Sequence, residues 1–505
     1  MKKLTGLFQW FDNHIFKILL TGFIFLIPLL PKLPIRLVDY TYIGFRFEDI
    51  YIAVFFIIFL FQLMRKKVKL QLKFLPYFLA FWLIVCISDY LATFVFKTTR
   101  IASLGLLHSM RRFEYMIIFF MASATVKTKE DFFYYMRLVF WTLFIVTIYG
   151  LGQKILGWPA VQTMNPEYAK GYILTLDANA RISSTFAGHY DFAAYLVFLI
   201  PLTLGFFMGG KKFPYIILFA LALLNLTLTA SRVSYFSYIF SVLAFLIFMK
   251  KPKLLVTCII LTVAFTYLSG NLTKRINRTF QEKKVFVNKT TGQTDVAQKI
   301  TADDLPAGNV NVQQVIKKGE TTTMTQQDVN ILKNQIQETI RKEGKKFTSE
   351  KEKQNYIDEM IKNYSVVTTV LPDISVATRL QVEWPRAIKA FLKYPIFGIG
   401  PSNLTEATDN DILRTLGEFG LTGFISFFLI IFMIGKFVFQ KALKMKKNYK
   451  PLFYGLIFSI FGLLINATYI DVFEASKMAY TFWTILGIYV GFLAWEKTNM
   501  IYEKK

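Results

Sequence analysis

Cysteine, histidine and charge are all scarce in this chain of 505 residues, which holds two cysteines, three histidines and 18% charged side chains. Cys86 and Cys258 each fall inside an apolar run, where they offer neither a structural disulfide nor a thiolate metal site, and they leave the redox compartment open. His14, His108 and His189 stand far apart. There is no HExxH, no CxxC pair and no GxSxG, so zinc-hydrolase and serine-hydrolase chemistry have no motif to rest on. Gly205 to Lys211 has the spacing GxxxxGK, but Lys212 follows where a phosphate loop needs Ser or Thr, which argues against a nucleotide site. No metal and no cofactor is expected. A cleavable signal peptide is not expected either, because the first apolar run, Ile15–Leu30, lacks a small-x-small cleavage site and many further runs follow it.

Apolar surface is what the chain has in abundance. At 54% hydrophobic and 17% aromatic it exceeds what a soluble core requires, which places it in lipid. A net charge of +26 in a soluble protein would suggest nucleic acid, but here Lys and Arg sit mostly in short links between apolar runs, as topogenic charge, and no nucleic-acid partner is expected. With roughly 20 apolar residues needed per crossing, the runs predict an all-α polytopic membrane protein of about twelve transmembrane helices. They are Ile15–Leu30, Ile50–Met64, Phe74–Phe96, Leu104–Val126, Phe132–Leu151, Tyr190–Met208, Phe213–Ala230, Val233–Met249, Leu254–Gly270, Glu418–Phe439, Leu452–Ile470 and Met478–Trp495.

Every second link is basic, for example Arg65 to Lys73, Lys250 to Lys253 and Lys441 to Lys450, and this parity agrees with Lys2, Lys3, Lys504 and Lys505 at the ends. Both termini are therefore expected on the cytoplasmic side of a bacterial inner membrane. Three parts follow: about nine spans in residues 1–271, one large extracytoplasmic loop domain in 272–416, and about three spans in 417–505. Within the loop, Lys274 to Gln326 is polar and rich in Thr and Gln, consistent with β-structure or little order. Beyond it, Val329, Leu332, Ile336 and Ile340 recur at helical spacing, as do Tyr356, Ile357, Met360, Ile361 and Tyr364 after the break at Gly344 to Ser349.

The expected topology collects a set of charges at the outer boundary. Arg232 lies in a very short link, at the depth of a lipid-linked phosphate, although a snorkelling interfacial arginine reads the same way. Arg111, Arg112 and Glu114 fall inside the fourth run, where bare charge facing lipid costs several kcal/mol. They are expected to face a cavity or one another, unless the span begins near Phe113 and they are interfacial. Arg181, in Ala180-Arg181-Ile182-Ser183-Ser184-Thr185-Phe186, is a further candidate or an ordinary loop arginine. His189, beside Tyr190 and Asp191, suits proton transfer, hydrogen bonding or a structural cap. Trp158, Tyr168, Tyr172 and Trp384 offer faces for sugar stacking, or belong to an interfacial aromatic belt.

The stretch Arg379, Trp384, Ala387, Ile388, Pro395-Ile396-Phe397-Gly398-Ile399-Gly400, Asp409-Asn410-Asp411-Ile412-Leu413 and Glu418-Phe419-Gly420-Leu421-Thr422-Gly423 resembles the signature region of the O-antigen ligase and O-antigen polymerase family of membrane glycosyltransferases. The segment Arg181 to Phe186 with Pro201, and Thr229-Ala230-Ser231-Arg232, are similar to the family in matching order, so the resemblance covers most of the chain from Arg181 onward. It implies that Arg181, Arg232 and Arg379 bind the diphosphate of a polyprenyl-linked glycan, such as one on undecaprenyl diphosphate. It also implies that Asn410 stands for the Asn of the family's His-Asn pair. Asp409 stands where the family has the His, its proposed general base. Asp can accept a proton from a hydroxyl, with a reference pKa near 3.9 that burial raises, and the change points toward polymerases and divergent members.

Taken together, these readings predict a metal-independent inverting enzyme of cell-envelope polysaccharide biosynthesis. It would polymerise or ligate polyprenyl-diphosphate-linked oligosaccharide onto a glycan or lipid-linked acceptor at the outer face of the cytoplasmic membrane, with membrane lipids around it. Asp409, Arg232 and Arg379 would carry the chemistry, and Arg181, Asn410, Arg111, Arg112, His189 and Trp384 would bind substrate. A transporter or flippase of the same glycolipids is the alternative, because twelve spans with both termini inside is also a transporter plan. A scaffold is a third reading. The enzyme reading predicts that Arg232, Arg379 and Asp409 converge on one cavity.

Overall fold

A computed structural model describes the chain apart from residues 1, 39–43, 162–170, 178–179, 211–212, 278, 290–319, 323, 346, 373, 405–407 and 495–505. It divides into two compact units, Met1–Thr273 with Glu383–Lys505, and Lys274–Val382. The sequence reading carries the loop on to residue 416, whereas Glu383 to Asn410 groups with the helical unit.

Nine long helices open the first unit: α1 (Lys2–Leu29), α2 (Phe47–Met64), α3 (Leu75–Tyr90), α4 (Ala102–Thr125), α5 (Lys129–Ile155), α6 (His189–Gly210), α7 (Phe213–Leu228), α8 (Arg232–Phe248) and α9 (Pro252–Ser269). Between α5 and α6 a small hairpin pairs β1 (Pro159–Val161) with β2 (Ile173–Thr175). A short helix, α10 (Asn271–Asn277), leads to the second unit. That unit holds β3 (Phe280–Asn288), β4 (Glu320–Thr322), α11 (Gln326–Glu343), α12 (Glu350–Lys362), β5 (Tyr364–Pro372) and α13 (Ile374–Thr378). The chain then returns through α14 (Trp384–Lys393), α15 (Asp411–Leu443), α16 (Lys450–Ala467) and α17 (Ser476–Ala494).

The protein is an integral membrane protein. Among the described residues nine helices are long and apolar enough to cross a bilayer: α1, α2, α3 with the turn that follows it, α5, α6, α9, α15, α16 and α17. α7 and α8 are apolar but shorter, and α4 carries Arg111, Arg112 and Glu114 near its middle. α6 and α17 are sheathed by other helices, while α9 presents most of its surface outward. α17 lies directly on α4 because Gly487 and Gly491 face the α4 backbone at Phe119 and Ser123, leaving no room for a Cβ. Small residues four apart permit this close approach in lipid, where packing rather than water drives helix association.

In the second unit β5 is the central strand, antiparallel to both β3 and β4. α11 covers the predicted series Val329 to Ile340, and α12 covers Tyr356 to Ile361, while Tyr364, expected to continue that helix, opens β5 instead. α11 starts at a reciprocal cap between Thr325 and Asp328 and ends at Gly344, whose φ of 65° suits glycine. Leu332, Ile336, Ile340 and Ile357 pack with Phe286 and Val366 of the sheet into a separate small core.

Candidate functional site

Alternating helix directions bring the end of α1 and the starts of α2, α4, α6, α8, α15 and α17 to one end of the bundle, where buried charge is concentrated. Arg111 forms a two-pronged pair with Asp49 (2.5 and 3.0 Å), donates to the Gly44 carbonyl and faces Glu114 at 3.4 Å, while Tyr480 donates to Glu114 at 2.7 Å. Arg112 pairs with Glu418 at 3.2 Å and with Glu474. Both guanidinium groups are buried. Such groups are tolerated in a bundle only when opposed by carboxylates; Arg111 meets Glu114 as one of them, whereas Arg112 turns to Glu418 and Glu474. Their donors are largely occupied by protein acceptors.

Asp409 sits in the turn just before α15 with φ of 48°, a left-handed conformation uncommon outside glycine. One carboxylate holds that turn. Asp471 accepts the N–H groups of Thr408 (3.0 Å) and Asp409 (3.1 Å) on one oxygen and that of Asn410 (3.0 Å) on the other, and pairs with Arg414 at 3.0 Å. Asn410 caps α15 through its side-chain oxygen, which accepts from the Leu413 N–H at 3.0 Å, and its amide donates to the Thr468 carbonyl at 2.7 Å. In return, the Asp411 carboxylate accepts from the Val472 and Phe473 N–H groups. Half of the Asn410 amide is thus committed to folding.

Arg232 is the first residue of α8, after a turn in which Ala230 has φ of 50°. Ser231 donates to Ser234 at 2.8 Å, and Ser234 donates to the side-chain oxygen of Asn466, near the end of α16, at 3.1 Å. The Asn466 amide nitrogen is buried without a hydrogen-bond partner among the described residues. The Arg232 turn and the Asp409 turn are therefore fastened within a few residues of each other, at Asn466 and at Thr468 to Asp471.

The link between α16 and α17 continues this pattern. Lys477 is buried and donates to the carbonyls of Pro28 (3.0 Å), Leu30 (2.5 Å) and Thr185 (2.7 Å), which ties it to the end of α1 and to the Arg181 segment. Arg181 stacks over Tyr190, 5.8 Å from its ring centre, and its Nη1 is buried with no hydrogen-bond partner among the described residues. His189 is buried at the first position of α6, its ring 4.1 Å from that of Tyr190. Lys32 lies 3.9 Å from Asp191, and burial pushes its pKa down to about 8 despite the attraction of that carboxylate. Trp384 packs edge-on against Tyr469, with ring centres 5.6 Å apart. Arg379 belongs to the second unit, where it is buried and donates to the Ser375 carbonyl (2.8 Å) and hydroxyl (2.5 Å). Tyr168 lies outside the described residues, while Trp158 immediately precedes β1 and Tyr172 immediately precedes β2.

Sequence reasoning missed Asp471, Glu474, Arg414, Lys477 and Asp49. A usable signal was present: Asp471, Glu474 and Lys477 crowd a short link between two apolar runs, where nothing else polar explains them. The glycine-rich stretches have a structural origin. α15 breaks its helical geometry at Gly420 (φ 66°), and residues 395–400 run alongside, with the Ile399 N–H on the Gly417 carbonyl and the Leu421 N–H on the Pro395 carbonyl. A Cβ on Gly398 would strike the Glu418 carbonyl, and one on Gly420 that of Ile396.

Residues 217–428 match a family model described as O-antigen ligase. The match contains Arg232, Arg379, Trp384, Asp409 and Asn410, and leaves out Arg181, His189, Arg111, Arg112 and the α16–α17 link. No curated protein matches the chain.

Proposed function

The chain carries a region of the O-antigen ligase family, and on that premise we propose that it is a membrane glycosyltransferase of surface polysaccharide synthesis. It polymerises polyprenyl-diphosphate-linked oligosaccharide at the outer face of a bacterial cytoplasmic membrane, through about twelve spans with both termini inside. Polymerisation is preferred to ligation because Asp409 stands where the resemblance puts a ligase histidine. The observation that carries the reading is the common anchoring of the Arg232 and Asp409 turns at the end of α16.

In the proposed reaction an acceptor hydroxyl attacks the anomeric carbon of the donor sugar. The new glycosidic bond forms as the bond to the diphosphate breaks, with inversion. Asp409 takes the hydroxyl proton, and the diphosphate departs with the bonding electron pair, its charge met by Arg232; the family resemblance assigns Arg379 the same kind of role. Guanidinium donors suit this task because they bind phosphate oxygens in pairs and keep their charge. A general base of this kind contributes about 10²–10⁴-fold, and aligned donors on the leaving oxygens a comparable factor. Arg181, Asn410, His189 and Trp384 complete the substrate contacts. Arg111 and Arg112 are retained as groups that shape the site.

The test is reconstitution in liposomes with polyprenyl-diphosphate oligosaccharide, reading the size of the lipid-linked products. A ladder of elongated glycans supports a polymerase. A single transfer to an added lipid acceptor makes it a ligase, and unaltered glycan moved between leaflets would overturn the enzyme reading.

A further inference from the structure

Helix α14 divides its circumference into three sectors. Ala387 and Ala390 are buried, packed with Leu404 and, more loosely, Leu413 of α15. Trp384, Ile388 and Leu392 follow at intervals of four, an arc of about 80° at 100° per residue. Ile388 and Leu392 are exposed, the latter to 70%. Arg386, Lys389 and Lys393 are also exposed and fall within an adjoining arc of about 60°. The helix therefore has one face for the protein, one apolar face that the described residues leave uncovered at Ile388 and Leu392 while Tyr469 packs on Trp384, and one basic face.

The uncovered apolar face does not end with the helix. Ile396, just beyond it, is exposed and lies beside Leu421 and Thr422 of α15, whose N–H groups bond to the Pro395 and Ile396 carbonyls. Leu421 and Ile425, also exposed, carry the surface down a membrane-crossing helix. The apolar side of α14 is thus continuous with a surface that faces acyl chains. At 1.5 Å per residue its ten residues span about 15 Å, too little to cross a bilayer. An apolar stripe along its whole length requires the helix to lie at one depth.

We infer that α14 is an in-plane interfacial helix, with Ile388, Leu392 and Ile396 entering the acyl region of the leaflet beside the charged end of the bundle, and Arg386, Lys389 and Lys393 meeting the phosphates of its anionic lipids. An amphipathic helix with a basic polar face settles about 5–10 Å into the boundary of headgroups and acyl chains, and each basic residue near an anionic surface adds to the attraction. The inference stands whatever reaction the site performs. In this protein the helix fixes the level of Trp384 and of the glycine-rich segment that grips α15.

The test uses full-length protein in phosphatidylcholine vesicles containing phosphatidylglycerol, with Cys86→Ser and Cys258→Ser as background. A spin label is placed singly by Ile388→Cys, Leu392→Cys, Ile396→Cys, Lys389→Cys or Lys393→Cys. Three positions on the apolar face give independent readings should one variant fold poorly. The expected ratio of oxygen to nickel-chelate collisions is several-fold higher at 388, 392 and 396 than at 389 and 393. Equal ratios on the two faces would overturn the inference. The basic face is tested by the thermal midpoint, which should rise when phosphatidylglycerol is added to phosphatidylcholine vesicles. That rise should be lost when Arg386, Lys389 and Lys393 are all replaced by Gln, and an undiminished rise in the triple variant would overturn the headgroup assignment.

Discussion

The carboxylate of Asp471 accepts the backbone N–H of Asp409 at 3.1 Å, and holds the neighbouring N–H groups of Thr408 and Asn410 at 3.0 Å each. Three consecutive N–H groups converging on one anion form a concave cradle. It fixes Asp409 in its left-handed conformation without using the Asp409 side chain. Arg414 at 3.0 Å balances the Asp471 charge, so the anchor is itself secured from within α15.

Asp471→Ala therefore removes three charge-assisted hydrogen bonds and one of the carboxylates that balance Arg414. Destabilisation of about 3 kcal/mol is expected. Asp471→Asn, which keeps an acceptor oxygen, should cost less in thermal midpoint. Both variants are expected to lose at least about tenfold in glycan transfer, on the order of 1.4 kcal/mol of barrier, measured on protein that remains folded. Undiminished transfer in Asp471→Ala would mean that the Asp409 turn is not needed in this form.

Arg111→Ala and Arg112→Ala each take a buried guanidinium away from carboxylates: the half-buried Asp49 and Glu114 in the first case, and the half-buried Glu474 with the buried Glu418, which keeps Arg414, in the second. Breaking a buried pair from one side costs about 3–5 kcal/mol. Thermal unfolding should show both variants far less stable, with activity falling in step with folded protein. Arg232→Ala should instead lose transfer with a midpoint near wild type.

Lys477→Met deletes the donor shared by the carbonyls of Pro28, Leu30 and Thr185. The segment bearing Arg181 then loses its tie to α17. Hydrogen exchange measured by mass spectrometry should quicken across residues 181–188 and stay unchanged in the core of α16.

Lys32 gives stability a dependence on pH. Its pKa falls from 10.5 to about 8 because burial disfavours the ammonium. Below pH 8 folding must bury the charge. Between 8 and 10.5 the folded form is neutral while the unfolded chain still binds the proton, so stability rises with pH through this window, by up to about 3.5 kcal/mol at about 1.4 per unit. Denaturation midpoints at pH 7.5 and 9.5 should differ in this direction for wild type, and the difference should shrink in Lys32→Met.

The helices were legible because composition alone states what must lie in lipid. The sequence also shows the stop of α11 at Gly344, since it depends on a single local residue. The site was legible only where a motif is local. Asn410 reads as part of a substrate-binding pair, yet the Leu413 N–H and the Thr468 carbonyl occupy much of its amide. Arg112 with Glu418 and Asp471 with the Asp409 turn join positions separated by 306 and 62 residues. No periodicity reports such pairs. The sequence allows β-structure where β3 and β4 form but not their pairing with β5, because β3 meets β5 only after two helices and a long polar stretch have intervened.

The account rests most directly on Asp409 as the proton acceptor in glycan elongation. The decisive measurement is the product size distribution from wild type, Asp409→Asn and Arg232→Ala in proteoliposomes supplied with polyprenyl-diphosphate oligosaccharide, each variant matched for thermal midpoint. The predicted result is a ladder of longer glycans from wild type and unextended substrate from both folded variants. A ladder of wild-type length and rate from Asp409→Asn would contradict the mechanism.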